Sequence, residues 1–201
     1  TALTSGANNT AIGKSALDAN TTANDNTAVG ANACGGNTTA INNTAVGSRA
    51  LLLNETGSGN TAIGHDSLEN NTAANNTSVG SESMKANTSG ANNTAVGSEA
   101  LDANTTADNN TAVGRAALGA NTTGGFNSAL GALSLDANTT GGSNTALGYG
   151  SLSANTTASN NTAVGHASLQ VNTTGNSNVA VGPYALDANT TASNNVGMGY
   201  A

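Results

Sequence analysis

The chain has 201 residues with one Phe, three Tyr and no Trp, and much of its 36% hydrophobic fraction is Ala, so a sizeable globular core is out of reach. Four Lys and Arg against eleven Asp and Glu give a net charge of −7 on a surface that is otherwise amide and hydroxyl. No basic stripe with interleaved aromatics is present, which excludes a nucleic-acid interface, and no apolar run reaches membrane-spanning length, which argues against membrane insertion by this segment.

Variants of Asn-Thr-Ala-Val-Gly, as at Asn110 to Gly114, recur twelve times along the chain. The closing glycines run from Gly13, Gly30 and Gly47 to Gly165, Gly182 and Gly199; ten of the eleven intervals are 17 residues and the one from Gly64 to Gly80 is 16. A disordered polar tract has no need of such a register, so the repeat points to a folded array. The opening stretch from Thr4 to Gly13 repeats Thr88 to Gly97 with Ile in place of Val, and Tyr200 and Ala201 begin another unit. Residues 1–201 therefore read as a single array, expected to be a piece of a longer fibre.

Aligning the units on their glycines gives columns. Four residues after the glycine stand Leu17, Cys34, Leu51, Leu68, Met84, Leu101, Leu118 and their successors. Immediately before it stand Ile12, Val29, Val46, Ile63, Val79, Val96, Val113, Leu130, Leu147, Val164, Val181 and Met198. The core is expected to be built from these two columns, with Leu17, Leu51, Leu68, Leu101, Leu118, Val29, Val46, Val96, Val113 and Val164 as its members. Two aliphatics per unit are too few for a unit to fold alone. Gly, Asn, Thr and Val are poor helix formers, so short strands are predicted. In Asn-Thr-Ala-Val-Gly, Thr and Val share one strand face and Ala the other; in Ala-Leu-x-Ala-Asn-Thr-Thr, Leu, the second Ala and the first Thr share a face. One unit per turn of a coil would stack parallel strands about 4.8 Å apart, making an all-β parallel solenoid of about 12 turns and on the order of 55 Å.

Two Asn columns have no exception. Seven residues after each glycine stand Asn20, Asn37, Asn54, Asn71, Asn87, Asn104, Asn121, Asn138, Asn155, Asn172 and Asn189. Four residues before each glycine stand Asn9, Asn26, Asn43, Asn60, Asn76, Asn93, Asn110, Asn127, Asn144, Asn161, Asn178 and Asn195. Identical amides stacked at strand spacing can bond rung to rung, and Asn tolerates left-handed backbone, so each column is predicted to form a ladder at a corner of the coil. The missing residue between Gly64 and Gly80 is placed near Thr72 and Ala73, in the loop between the two columns.

The Asn-Thr-Ala-Val-Gly-x-x-Ala-Leu pattern resembles the head repeats of YadA-like trimeric autotransporter adhesins and is similar to arrays in phage tail-fibre proteins. The likeness covers essentially the whole chain, whose unit is longer by an added Asn-Thr-Thr-[Ala/Gly] segment. It implies a left-handed parallel β-roll, side-by-side association into a trimer, and an extracellular place on a bacterial surface or a phage virion. Ala11, Ala28, Ala45, Ala62, Ala95 and Ala112 form a small-residue column that is expected to supply the flat face for a homotrimer or filament.

Reactive chemistry is sparse. His65 and His166 follow their glycines in a column that also holds Lys14, Arg115, Tyr149 and Pro183, the mixture of a solvated position rather than a metal site. Asp18, Glu69, Asp102, Asp136 and Asp187 share a column with Lys85, Gln170 and Gly119, again read as solvated surface. Cys34 reads as a small buried hydrophobe. Gly124-Gly125 and Gly141-Gly142 lack the Lys-Ser/Thr of a phosphate loop. No catalytic residues, cofactor or metal are expected. The Asn-x-Thr sequons, as at Asn104-Thr105-Thr106, are read as structural Asn. The expected role is a non-enzymatic structural or adhesive fibre segment, with extracellular matrix, a host surface or a glycan as its partner. Three scattered Tyr would make a poor sugar platform. A second expectation is an ice-binding solenoid using its Thr arrays, although adjacent Thr residues alternate faces.

Overall fold

The computed structural model describes residues 5–200, so Thr4 and Ala201 lie outside the described residues. Twelve three-residue strands occur among them: β1 Thr10–Ile12, β2 Thr27–Val29, β3 Thr44–Val46, β4 Thr61–Ile63, β5 Thr77–Val79, β6 Thr94–Val96, β7 Thr111–Val113, β8 Ser128–Leu130, β9 Thr145–Leu147, β10 Thr162–Val164, β11 Val179–Val181 and β12 Val196–Met198. They form one parallel sheet in chain order, each strand paired with the next. Like residues face like, as in Thr94↔Thr111, Ala95↔Ala112 and Val96↔Val113. The chain is a β-solenoid with one 17-residue unit per rung.

The rest of each rung departs from expectation. Ala-Leu-x-Ala-Asn is not a second strand but a run of tight turns, with Ala100 N donating to Gly97 O at 3.3 Å and Asn104 N to Leu101 O at 3.1 Å. Left-handed backbone recurs two and four residues after the glycine, at Glu99 (φ 59°) and Leu101 (φ 52°) in this rung. A bulky residue pays about 1–2 kcal/mol for that conformation. The coil offsets it by joining these turns to the next rung, Leu101 N to Ala117 O and Ala103 N to Gly119 O, both at 3.1 Å. The closing glycine is required for another reason. Gly30 has φ 137°, and a Cβ there would stand 2.5 Å from the carbonyl oxygen of Gly47 in the next rung.

The interior is thinner than the hydropathy of the columns suggests. Leu17, Leu51, Leu68, Leu101 and Leu118 are buried, and they pack on the mid-strand Ala column, where Ala28, Ala45, Ala62, Ala95 and Ala112 are fully enclosed. The column before the glycine points outward instead. Val46 and Val96 are exposed and Val29, Val113 and Val164 are half-buried. Alternation puts Ala and Val on opposite faces, and only the small residue fits beneath the Leu column. At the last rung a Cβ on Gly197 would stand 2.6 Å from Leu186 Cγ, which shows how little room that position has. From Ala28 to Ala112 the Ala column is therefore closed as an association face, and of the six only Ala11, on the first strand, is exposed.

The 16-residue rung absorbs its deletion where the sequence places it. Thr72 keeps its bond to the next rung, Thr72 N to Thr88 O at 2.9 Å, while Asn71 Nδ2 reaches Ala73 O two residues on rather than three. The sheet passes undisturbed, with Thr61 opposite Thr77.

Candidate functional surfaces

Both Asn columns lie inside the solenoid and leave left-handed backbone to other positions; Asn8, Asn42, Asn92 and Asn109, one residue before the second column, adopt it instead. In the second column the side chains from Asn9 to Asn178, Asn43 excepted, each clamp the next rung twice. Asn93 Oδ1 accepts from Asn110 N at 2.8 Å, and Asn93 Nδ2 donates to Ala107 O at 2.8 Å. In the first column Asn104 Nδ2 donates to the same Ala107 O at 3.2 Å and to Asn87 Oδ1 at 2.7 Å. This side-chain ladder continues through Asn121, Asn138, Asn155, Asn172 and Asn189. Asn43 Nδ2 is buried without a partner. With Asn104 fully enclosed, its sequon offers no accessible amide in the folded chain. These residues hold the rod together and are not a ligand site.

The outer face of the sheet is the longest continuous surface of one kind. Thr27, Thr44, Thr61, Thr94 and Thr111 form one file and the aliphatic column another beside it, and neither file carries a charged residue on any of the twelve strands. Ile12 is 60% exposed, Leu130 49% and Leu147 41%. A shallow apolar depression runs across β7 to β9, lined by Val113, Leu130 and Leu147 with Thr111, Ser128 and Thr145. Apolar surface repeated in one line differs from singly scattered exposed aliphatics.

The paired Thr residues on the opposite flank are partly engaged with the backbone. Thr105 Oγ1 donates to Thr122 O at 3.2 Å and Thr139 Oγ1 to Thr156 O at 3.0 Å, so the first Thr of each pair braces the stack.

Charge gathers at the short rung. Asp66 is buried, and Lys85 Nζ stands 2.9 Å from its Oδ2 and 3.8 Å from Glu82 Oε2. Arg49 Nε and His65 Nε2 are each 3.5 Å from Asp66 Oδ1, and Arg49 Nη2 pairs with Glu69. The hydrogen bond from Lys85 to Asp66 holds the ammonium above its usual range. Ligand-type atoms of His65, Asp66 and Glu82 fall within 4.8 Å of one another, a convergence that column reading did not foresee. Two cations already sit on these carboxylates, so the group is an ion-pair clasp; a metal would have to displace Lys85. Below it Ser67 and Ser78 hydroxyls meet at 2.7 Å inside the core.

The acidic column is less solvated than expected. Glu69 is buried, and burial pushes the carboxyls of Asp102 and Asp136 up from their ordinary range. Cys34 is fully enclosed, and burial pushes its thiol up to about 12. His65 and His166 remain far apart, but His166 is not alone. It stacks on Tyr149 with ring centroids 5.6 Å apart and meets Tyr184 edge-on at 5.1 Å; Tyr184 meets Tyr200 at 5.9 Å. The three Tyr are not scattered but stand in one file. The sequence signal was available, because Tyr149, His166 and Tyr200 each follow a closing glycine directly.

No protein-family model matches the chain, and no match was found among curated proteins or solved structures.

Proposed function

We propose that the chain is a non-enzymatic structural segment of an extracellular fibre, on a bacterial surface or a virion, that spaces or presents a binding surface. The observation that carries this reading is the unbroken stack of twelve in-register strands, whose interior is closed by its own Leu, Ala and Asn columns. Such a stack makes a rod rather than a cleft. The likeness of Asn-Thr-Ala-Val-Gly to adhesin and tail-fibre repeats supports the same role. Copies associate side by side as a homotrimer, with the outward Thr and aliphatic files at the contact in place of the Ala column. Burying that line of exposed side chains supplies the apolar contact that a thin core lacks.

Light scattering tests this directly: the expected mass is that of a trimer, and Leu130→Asp with Leu147→Asp reduces it to a monomer that keeps its circular dichroism. A wild-type monomer at high concentration overturns the assembly, and a particle much shorter than about 55 Å in small-angle scattering overturns the rod.

A second reading is favoured by one observation, the uncharged Thr file on the sheet. A regular array of Thr hydroxyls and methyls beside aliphatics suits ordered water, which keeps ice binding open through this face rather than through the Thr105 and Thr106 columns. Thermal hysteresis or faceting of ice crystals decides it, and their absence at high protein concentration removes it.

A further inference from the structure

Three of the four Phe and Tyr residues of the chain, with one of its two His, stand on four consecutive rungs at one end of the rod. Tyr149 is 54% exposed, His166 is exposed and Tyr184 half-buried. From Ala137 to Tyr200 the sequence holds one Asp, no Glu and no Lys or Arg. The geometry points to this file as a binding platform for a neutral polysaccharide lying along the rod axis.

Three features select that ligand. A polyanion, whether nucleic acid, phospholipid or sulfated glycan, needs Lys or Arg, and this end of the rod has none. A small organic cation is held by rings that converge into a cage, whereas these follow one another in a line with centroids 5.1 to 5.9 Å apart. A linear polymer of ring-sized units fits a linear file. Because Tyr149 and His166 stack face to face, a pyranose laid along the file packs its C–H groups on the ring edges, and its hydroxyls meet Tyr phenols that can bond them as donor or acceptor. The ring file thus joins apolar contact and hydrogen bonding in one neutral strip. This platform is independent of the fibre reading, since a rod could assemble without it.

The full chain is run by affinity electrophoresis in gels containing hydroxyethyl cellulose, dextran or α-mannan, with heparin and a proline-rich peptide as competitors. Retardation by at least one neutral polysaccharide is expected, unaffected by heparin or the peptide. Tyr149→Ala with Tyr184→Ala should weaken it at least tenfold without lowering the melting temperature. Phe126→Ala, which removes a ring 68% exposed outside the file, should leave it unchanged. No retardation by any of the three polysaccharides overturns the proposal, as does binding indifferent to the double variant or displaced by heparin or the peptide. Trimer mass and rod length, measured on the same samples, report separately on the fibre reading.

Discussion

Asn104 donates to Asn87 Oδ1 at 2.7 Å and to its own turn's Ala107 carbonyl at 3.2 Å, and no part of its side chain reaches solvent. Its Oδ1 in turn accepts from Asn121 at 3.2 Å. Asn104→Ala takes the donor from Asn87 Oδ1 and leaves Asn121 Nδ2 with Gly124 O alone, both inside the rod. A loss of about 1–3 kcal/mol is expected, read as a lower denaturation midpoint. Asn104→Asp should cost more, because a carboxylate cannot donate to Asn87 and its charge is buried. An unchanged midpoint in both would show that the ladder is not what holds the rungs.

The two faces of β7 are separated by a pair of substitutions. Ala112→Val adds methyl groups where the equivalent Gly197 already meets Leu186, a position that corresponds to Leu101 in this rung, and is expected to destabilise by about 1–3 kcal/mol. Val113→Thr, on the half-exposed outer face, should stay within about 0.5 kcal/mol in the monomeric Leu130→Asp, Leu147→Asp background. Equal effects would contradict the inward Ala column.

Glu99 is exposed and holds φ 59°, a conformation that costs a side chain about 1–2 kcal/mol. The same position three rungs on is Gly150, at φ 62°. Glu99→Gly should therefore raise stability by up to about 1 kcal/mol after the entropy lost by glycine on folding. A fall in melting temperature would rule out strain at this turn.

Cys34 supplies a pH test. Its thiol ionises near 12 when folded and at its ordinary value when unfolded. The folded state thus holds its proton where the unfolded state loses it, so stability should decline from about pH 9 toward pH 12. Cys34→Ala removes this part of the alkaline slope. At pH 8 iodoacetamide should label the native protein only as fast as it unfolds; rapid labelling would mean that the thiol is open.

The columns make the solenoid legible in the sequence, because a 17-residue interval with Gly, Asn, Thr and Val suits short strands stacked one unit per turn. Which face turns inward is not legible in the same way. Alternation separates Ala112 from Val113, and hydropathy favours Val, but the space beneath the Leu column admits only the smaller side chain. The Asn columns show their ladder in advance and not their burial, since the left-handed positions fell to Glu99 and Leu101, types that give little warning of it, and to Asn109, one place before the column. The ion-pair clasp lies within two columns, Arg49, Asp66 and Glu82 two places after their glycines and Glu69 and Lys85 five places after; column reading passes over the first and reads the second as solvated, so the clasp escapes it. Tyr184 stands one place beyond Tyr149 and His166 in the unit, and that offset concealed the ring file.

The short unit between Gly64 and Gly80 loses one residue at the outer bend without moving a strand. Single insertions and deletions are thereby confined to one bend per unit, while a whole unit can be added or removed anywhere, since each meets only the two beside it. Length in such a protein is a quantity that gene duplication can adjust in steps of one strand spacing, leaving every existing contact as it was.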